Sequence, residues 1–394
     1  MSHFTVLVIG NNPEEQLAPF HEFECTGEEE FIQEIDELDE YEKKYETETR
    51  KMVRFIGNSK VLCTEDAKTV RSTSDDFFFR EPTAEEMKER RLSGTGWGPN
   101  GFHWVSKDWG DGKGYCTRVQ DIPPDWQEVD IPIKEIMTFF EFVTDYCGHG
   151  EVISTFQEPD TIGPHKYGWV RVDENNEVLE VVRRTNPNAK WDWYVLGGRW
   201  SGFFKLKSED LLRGLPWRNE PGLVAIGSGP EASNLIGDYA DRARVGEIDV
   251  QGMREDARKE AEKSFDAYYD VIQHFPDALS FSQVREKFTD PSEARKFYNN
   301  QKAIKALHER KIGAWGCAIE TFGRDRDVYV QECANSALST FAVLKDGIWH
   351  EKGKMGWWAC VSDETSDSEW NEQLNRLFDD LSPDTVVSLY DCHI

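Results

Sequence analysis

The sequence predicts an α+β protein with one large mixed β-sheet body, packed helices and a helical insertion. Three observations carry that expectation. Phe4-Thr-Val-Leu-Val-Ile9 is apolar on both faces and ends at Gly10, as a central strand does. The last stretch is strand, helix, strand: Trp357-Trp-Ala-Cys-Val361, a helix over Trp370 to Leu381, then Val386-Val-Ser-Leu-Tyr390. Residues 251–311 carry consecutive helical stripes. The expected division is a mixed α/β region over 1–250, the helical insertion over 251–311, and a strand-rich part over 312–394 that shares a sheet with the first strand.

In chain order, Asn11-Asn12-Pro13 breaks the first strand. Residues 22–48 hold 13 acidic residues, and Phe31, Ile35, Leu38, Tyr41 and Tyr45 recur at helical spacing, which predicts an acidic amphipathic helix. Asp75 to Phe79 reads as a strand and Thr83 to Leu92 as a helix with Glu86 completing its capping box. The glycine-rich stretch 94–101 lacks the strand–helix context of a dinucleotide fingerprint. Pro132 to Tyr146 is expected to be helical, and 163–184 to be paired strands joined at Asp173-Glu-Asn-Asn176. Gly222 to Ile226 reads as a strand, followed by a helix to about Arg244 and a short strand over 247–250. Helices are expected over Met253 to Phe275 and from a cap at Asp290, with Pro291 and Glu293 behind it, to about Lys311. Strands are expected near 314–321, 327–332, 338–344 and 355–361. Ser366 and Glu369 cap the final helix.

The densest aromatic stretch is Asn186 to Lys205. Trp191 to Leu196 and Trp200 to Leu206 read as two strands of a hairpin turned at Gly197-Gly198, with Asp192 and Arg199 paired across it. This stretch, together with Met1-Ser-His-Phe-Thr-Val-Leu-Val-Ile-Gly10, Met355-Gly-Trp-Trp358 and Asp391-Cys-His-Ile394, resembles a protein family of bacteriophages, prophages and other mobile elements. The likeness touches both ends and the middle of the chain. It implies a phage-like source, and the family has no established activity to carry over.

Composition narrows the function classes. The 74 acidic and 46 basic residues give a net charge of −28, which opposes direct nucleic-acid binding and anionic membranes. It suits a partner with a basic surface, including a nuclease groove that the chain could occupy by imitating DNA. The eight cysteines form no C-x-x-C pair, no secretory signal precedes the first strand, and no run is long enough to span a membrane. A cytoplasmic protein with reduced thiols is expected. The leading functional expectation is therefore a phage-type factor that binds and inhibits a host defence complex, such as a nuclease–ATPase.

Two catalytic readings stand beside it. Gly227-Ser228 ahead of a helix, then Glu247 and Asp249 two apart on a strand, is similar in outline to a nucleotidyltransferase core. The turn would hold phosphates and the carboxylates Mg²⁺, with Glu320 or Asp391 as a third ligand. His3-Phe-Thr5 resembles half of the paired signature of two-histidine phosphoesterases, whose chemistry needs an acid and a base. No second His-x-Thr occurs, so His393 is the substitute if the first and last strands are neighbours. Trp191, Asp192, Arg199, Trp200 and Gly227 are the candidate binding residues.

Overall fold

The computed structural model describes residues 3–56, 70–81, 83, 96–97, 102–106, 114–208, 239–288, 290–312, 317–355 and 361–394. The architecture is α+β, with a large mixed sheet and several smaller ones, as the sequence predicts. Two compact units divide the chain: residues 1–32 with 186–394, and residues 33–185.

The first unit is built on a six-stranded sheet of β1 (His3–Ile9), β2 (Trp193–Leu196), β3 (Arg242–Arg244), β4 (Ala342–Lys345), β5 (Ile348–Glu351) and β6 (Val386–His393). The order is β2-β6-β1-β4-β5, and β3 extends the β2 edge along β6. The first and last strands are neighbours, antiparallel, with His3 opposite His393 and Ile9 opposite Val387. Strand β4 runs parallel to β1 and forms a hairpin with β5. Asp346 and Gly347 turn that hairpin with φ of 53° and 75°, the two left-handed positions that an Asp-Gly turn supplies most readily.

Alternation along the strands decides what each face buries. Phe4, Val6, Val8, Tyr390 and Cys392 pack with Leu17, Phe20 and Trp191 on one face. Leu7, Ile9, Val343, Val387 and Leu389 lie on the other, with Trp370, Leu374 and Phe378. The longer helices of this unit, among the described residues, are α1 (Val250–Ile272), α2 (Pro291–Asn300), α3 (Lys302–Glu309), α4 (Arg326–Asn335) and α5 (Asp367–Asp379). Ser366 caps α5 by accepting from the Glu369 N–H, and Trp370 Nε1 donates to the Thr340 carbonyl at 2.6 Å. Helices α1 to α4 share a separate core that includes Tyr268, Val271, Ile304, Leu307, Phe322 and Val330.

The second unit holds three small sheets. Gly168–Val172 and Val178–Thr185 pair as the sequence predicts, and Gln33–Asp36 joins them on the far side of Val178–Thr185. The segment 22–48 is therefore not one helix. Gly27, at φ 71°, ends a short helix at Phe23–Thr26, and Leu38–Thr47 is helical only after the strand. Nor is 132–146 a regular helix: the strand Trp126–Pro132 leads into a 3-10 turn, a Thr138-capped turn and a π turn over Phe142–Tyr146. Asp75 caps a 3-10 turn by accepting from the Phe77 N–H, and only Phe79–Arg80 is extended.

Other departures lie in the first unit. The aromatic stretch is not a hairpin. Strand β2 pairs with β6, and Phe204–Lys205 pairs with Tyr239–Ala240. Residues 239–244 are extended rather than helical. The segments 318–322 and 326–335 are helices, not strands, because Asp325 takes the N–H groups of Asp327 and Val328 and starts α4. A strand begins only at Ala342 after a 3-10 turn at Ser336–Leu338. The helix from Asp290 breaks at Gln301, whose ψ of 138° is extended. Among the described residues Lys354–Met355 and Val361–Ser362 pair with each other. The expected helix at 83–92 after its first residue, most of the glycine-rich stretch 94–101, the strand at 222–226 with the Gly227-Ser228 turn, and Trp357 to Cys360 lie outside the described residues.

Candidate active site: two histidine–aspartate pairs

The sheet face that buries Leu7 and Leu389 turns polar at its end. By alternation His3 and Thr5 of β1 and Asp391 and His393 of β6 share that face, and β2 sets Trp193 opposite His393. Three separated stretches of sequence thus meet in one place.

Two imidazole–carboxylate pairs result. His3 Nδ1 is 2.8 Å from Asp391 Oδ1, and His393 Nδ1 is 2.7 Å from Asp192 Oδ1 and 2.9 Å from its Oδ2. An ionised carboxylate only accepts, so each Nδ1 carries the proton and donates it. That leaves Nε2 of each ring as the chemically available nitrogen. The two rings are 4.9 Å apart between centroids, set edge to face at 75°. Both histidine side chains are 8% exposed, and their carboxylate partners 2% for Asp391 and 19% for Asp192. His393 Nε2 is buried and has no hydrogen-bond partner among the described residues. A buried polar atom left this way calls for an explanation, and a catalytic role is one that its place in the pair supports.

Neighbouring groups hold this arrangement. Trp193 stacks on His393 at 5.1 Å and 14° and meets His3 edge-on at 5.2 Å. Asp391 Oδ2 accepts the Arg199 backbone N–H at 3.0 Å. The loop carrying Arg199 is also tied to the fully buried Asp241, which accepts from the Ser201 hydroxyl at 2.9 Å and the Gly202 N–H at 2.6 Å. These two aspartates, rather than a partner strand, dictate the path of the chain after Gly197. Arg199 itself is exposed, and its guanidinium forms no ion pair among the described residues.

The other candidates separate. Trp191 is core, 6% exposed, with Nε1 donating to the Leu17 carbonyl. Asp192 pairs with His393 instead of Arg199. Trp200 is partly exposed on the Arg199 loop. Thr5 Oγ1 accepts from the Phe341 N–H at 3.0 Å and so fastens two strands. Cys392 points to the opposite face; burial first, and the Asp391 charge second, push its thiol well above the usual range, which makes it a poor nucleophile.

Gly227 and Ser228 lie outside the described residues. Glu247 is on a 3-10 turn rather than a strand, fully buried, with Oε2 accepting the Arg244 N–H. Asp249 caps α1 by accepting from the Gly252 N–H at 2.9 Å. The same-face carboxylate pair expected for Mg²⁺ is therefore not formed, because one acid serves a turn and the other a helix end. Glu320 accepts from the Ser282 N–H within the helical core region. Among the described residues no group of three or more His, Cys, Asp or Glu is arranged to hold a metal ion, and no helix is long and apolar enough to cross a membrane.

Sequence reasoning missed Trp193. Alternation gave no signal, because Trp191 and Trp193 share parity yet lie on different faces; only the register opposite His393 places Trp193 at the site. Comparison with known proteins returns no matching family model, no matching curated protein and no matching solved structure.

Proposed function

We propose that this chain is a phosphodiester hydrolase in which His3 and His393 form the acid–base pair. The observation that supports it is the adjacency of two imidazoles, each anchored at Nδ1 by its own carboxylate. One imidazole takes a proton at Nε2 from a water whose oxygen bonds to phosphorus. The other, protonated, gives its proton to the ester oxygen as the bond from phosphorus to that oxygen breaks. The products are a phosphomonoester and an alcohol, and proton exchange with solvent restores the pair. Asp391 and Asp192 fix the tautomers and stabilise whichever imidazolium is present. Arg199, whose guanidinium forms no ion pair among the described residues of a chain of net charge −28, favours an anionic substrate over a neutral ester. The test is a substrate panel with the purified chain: bis(p-nitrophenyl) phosphate, p-nitrophenyl phosphate and p-nitrophenyl acetate. Turnover of the diester above the other two supports the reading; turnover of the acetate alone overturns it.

A second reading follows the charge and the resemblance to proteins of mobile elements. In it the chain binds and inhibits a host defence complex, such as a nuclease–ATPase, in the host cytoplasm. Its support is the acidic excess, with Glu28, Glu29 and Glu30 exposed together on the first unit. Charge-driven capture weakens as salt screens it. A pull-down from host lysate should recover a partner at low salt and lose it at high salt; recovery of nothing at either salt removes this reading.

A further inference from the structure

We infer that Trp193 is a nucleobase platform, so that the ligand of the two-histidine site is a short nucleoside phosphate ester, one or two nucleotides long. The inference rests on the hydrolase reading for what becomes of the ligand, but not for whether it binds.

The argument starts from how the ring is held. Trp193 belongs to β2, which closes one edge of the sheet. One of its faces is covered by the His393 imidazole, near-parallel at 14°, and His3 meets it edge-on. The residue nevertheless remains 43% exposed. The ring is thus fixed against buried groups yet open to solvent, whereas neighbouring Trp191 is buried to 6%. An aromatic ring of a ligand is the group that such a face receives best, since stacking tolerates any base. The same residue touches both imidazoles, so a base stacked on its open face lies beside the pair that Asp391 and Asp192 anchor. Arg199, exposed and hydrogen-bonded through its backbone to Asp391, is a cation carried on the loop beside the pair. The charge of −28 limits ligand length, because a long polyanion accumulates repulsion that one or two phosphates do not.

The test is calorimetric binding to the full chain with two probes, adenosine 5′-monophosphate and ribose 5-phosphate, which share the phosphate position and differ in the base. Wild type should bind the nucleotide on the order of tenfold more tightly. Trp193→Ala should erase that difference, and Trp193→Phe should keep most of it. A substitution that merely disturbed the fold would weaken both probes together, and the Phe variant guards against that outcome. Equal affinity of wild type for the two probes, no binding of either, or a nucleotide preference that survives Trp193→Ala would overturn the inference. A base preference that depends on Trp193 in a chain that hydrolyses no diester would uphold this inference and sink the hydrolase reading.

Discussion

Gly198 and Asp391 are in contact so close that a β-carbon on the glycine would overlap the β-carbon of the aspartate. Gly198 also has φ of 53°, a left-handed conformation that costs L-residues roughly 1–2 kcal/mol. Because Asp391 orients His3, the glycine is a condition for the site as well as for the turn. Gly198→Ala should cost stability and also displace Asp391, so turnover should fall far more than the melting temperature. Gly148→Ala is the control: its φ is 83° and nothing lies within 4 Å of the added carbon. It should show the strain alone, with turnover intact. Equal turnover in the two variants would argue that Asp391 has no part in catalysis.

The two aspartates should be separable from the two histidines. Asp391→Asn and Asp192→Asn keep the shape but let the amide donate to Nδ1, which favours the wrong tautomer. Each should lower kcat by roughly 10²-fold or more with little change in KM. The pH dependence of kcat, with the KM of each variant, is the readout; a purely structural role would change neither.

The legible part of this molecule was its two ends. Phe4 to Ile9 and Val386 to Tyr390 are apolar on both faces, and no other environment suits them than the middle of a sheet. The helices capped at Ser366 and Asp290 also follow from local chemistry, since each side chain accepts a backbone N–H of its first turn, although the expected capping boxes are formed only in that half. The aromatic stretch was misread because Gly197-Gly198 signals a turn without saying where the chain goes next. That is decided by Asp391 and Asp241, 192 and 39 residues away in the hydrogen bonds they accept. Helix α4 was misread for a different reason. Its apolar residues Val328 and Val330 alternate, but Val328 is half exposed and the cap at Asp325 prevails. Of the site, His3 and His393 were legible as a pair only through the expected pairing of the first and last strands. Trp193 required the register.

Trp370 is 5% exposed, packs with Leu374 and Phe378 against β1 and β6, and donates to the Thr340 carbonyl. Trp370→Ala should destabilise the first unit by about 3–5 kcal/mol. Urea denaturation followed by far-UV circular dichroism checks this, and a midpoint equal to wild type would mean that α5 contributes little to the core.

Glu14 should give acid sensitivity. Burial acts to raise its pKa, but hydrogen bonds from the Tyr390 hydroxyl at 2.5 Å and from Arg242 at 2.6 Å outweigh it and leave the carboxyl below its ordinary value. A depressed folded-state value means that the stabilisation is present above the unfolded pKa, near 4.3 for a free glutamate, and is lost as pH falls through the folded value. The Glu14 side chain is 53% exposed, so solvent screening holds the effect below about 1 kcal/mol. Glu14→Gln should therefore melt slightly below wild type at pH 7 and match it at about pH 3. A gap that persists unchanged at low pH would assign the effect to packing.

The most direct test of the two-histidine account is kcat/KM for diester hydrolysis by His3→Ala, His393→Ala and the double variant. Residues that act as one acid–base unit are strongly non-additive. The account predicts a loss of roughly 10²- to 10⁴-fold in each single variant and little further loss in the double. Full turnover in either single variant, with the fold intact, would contradict it.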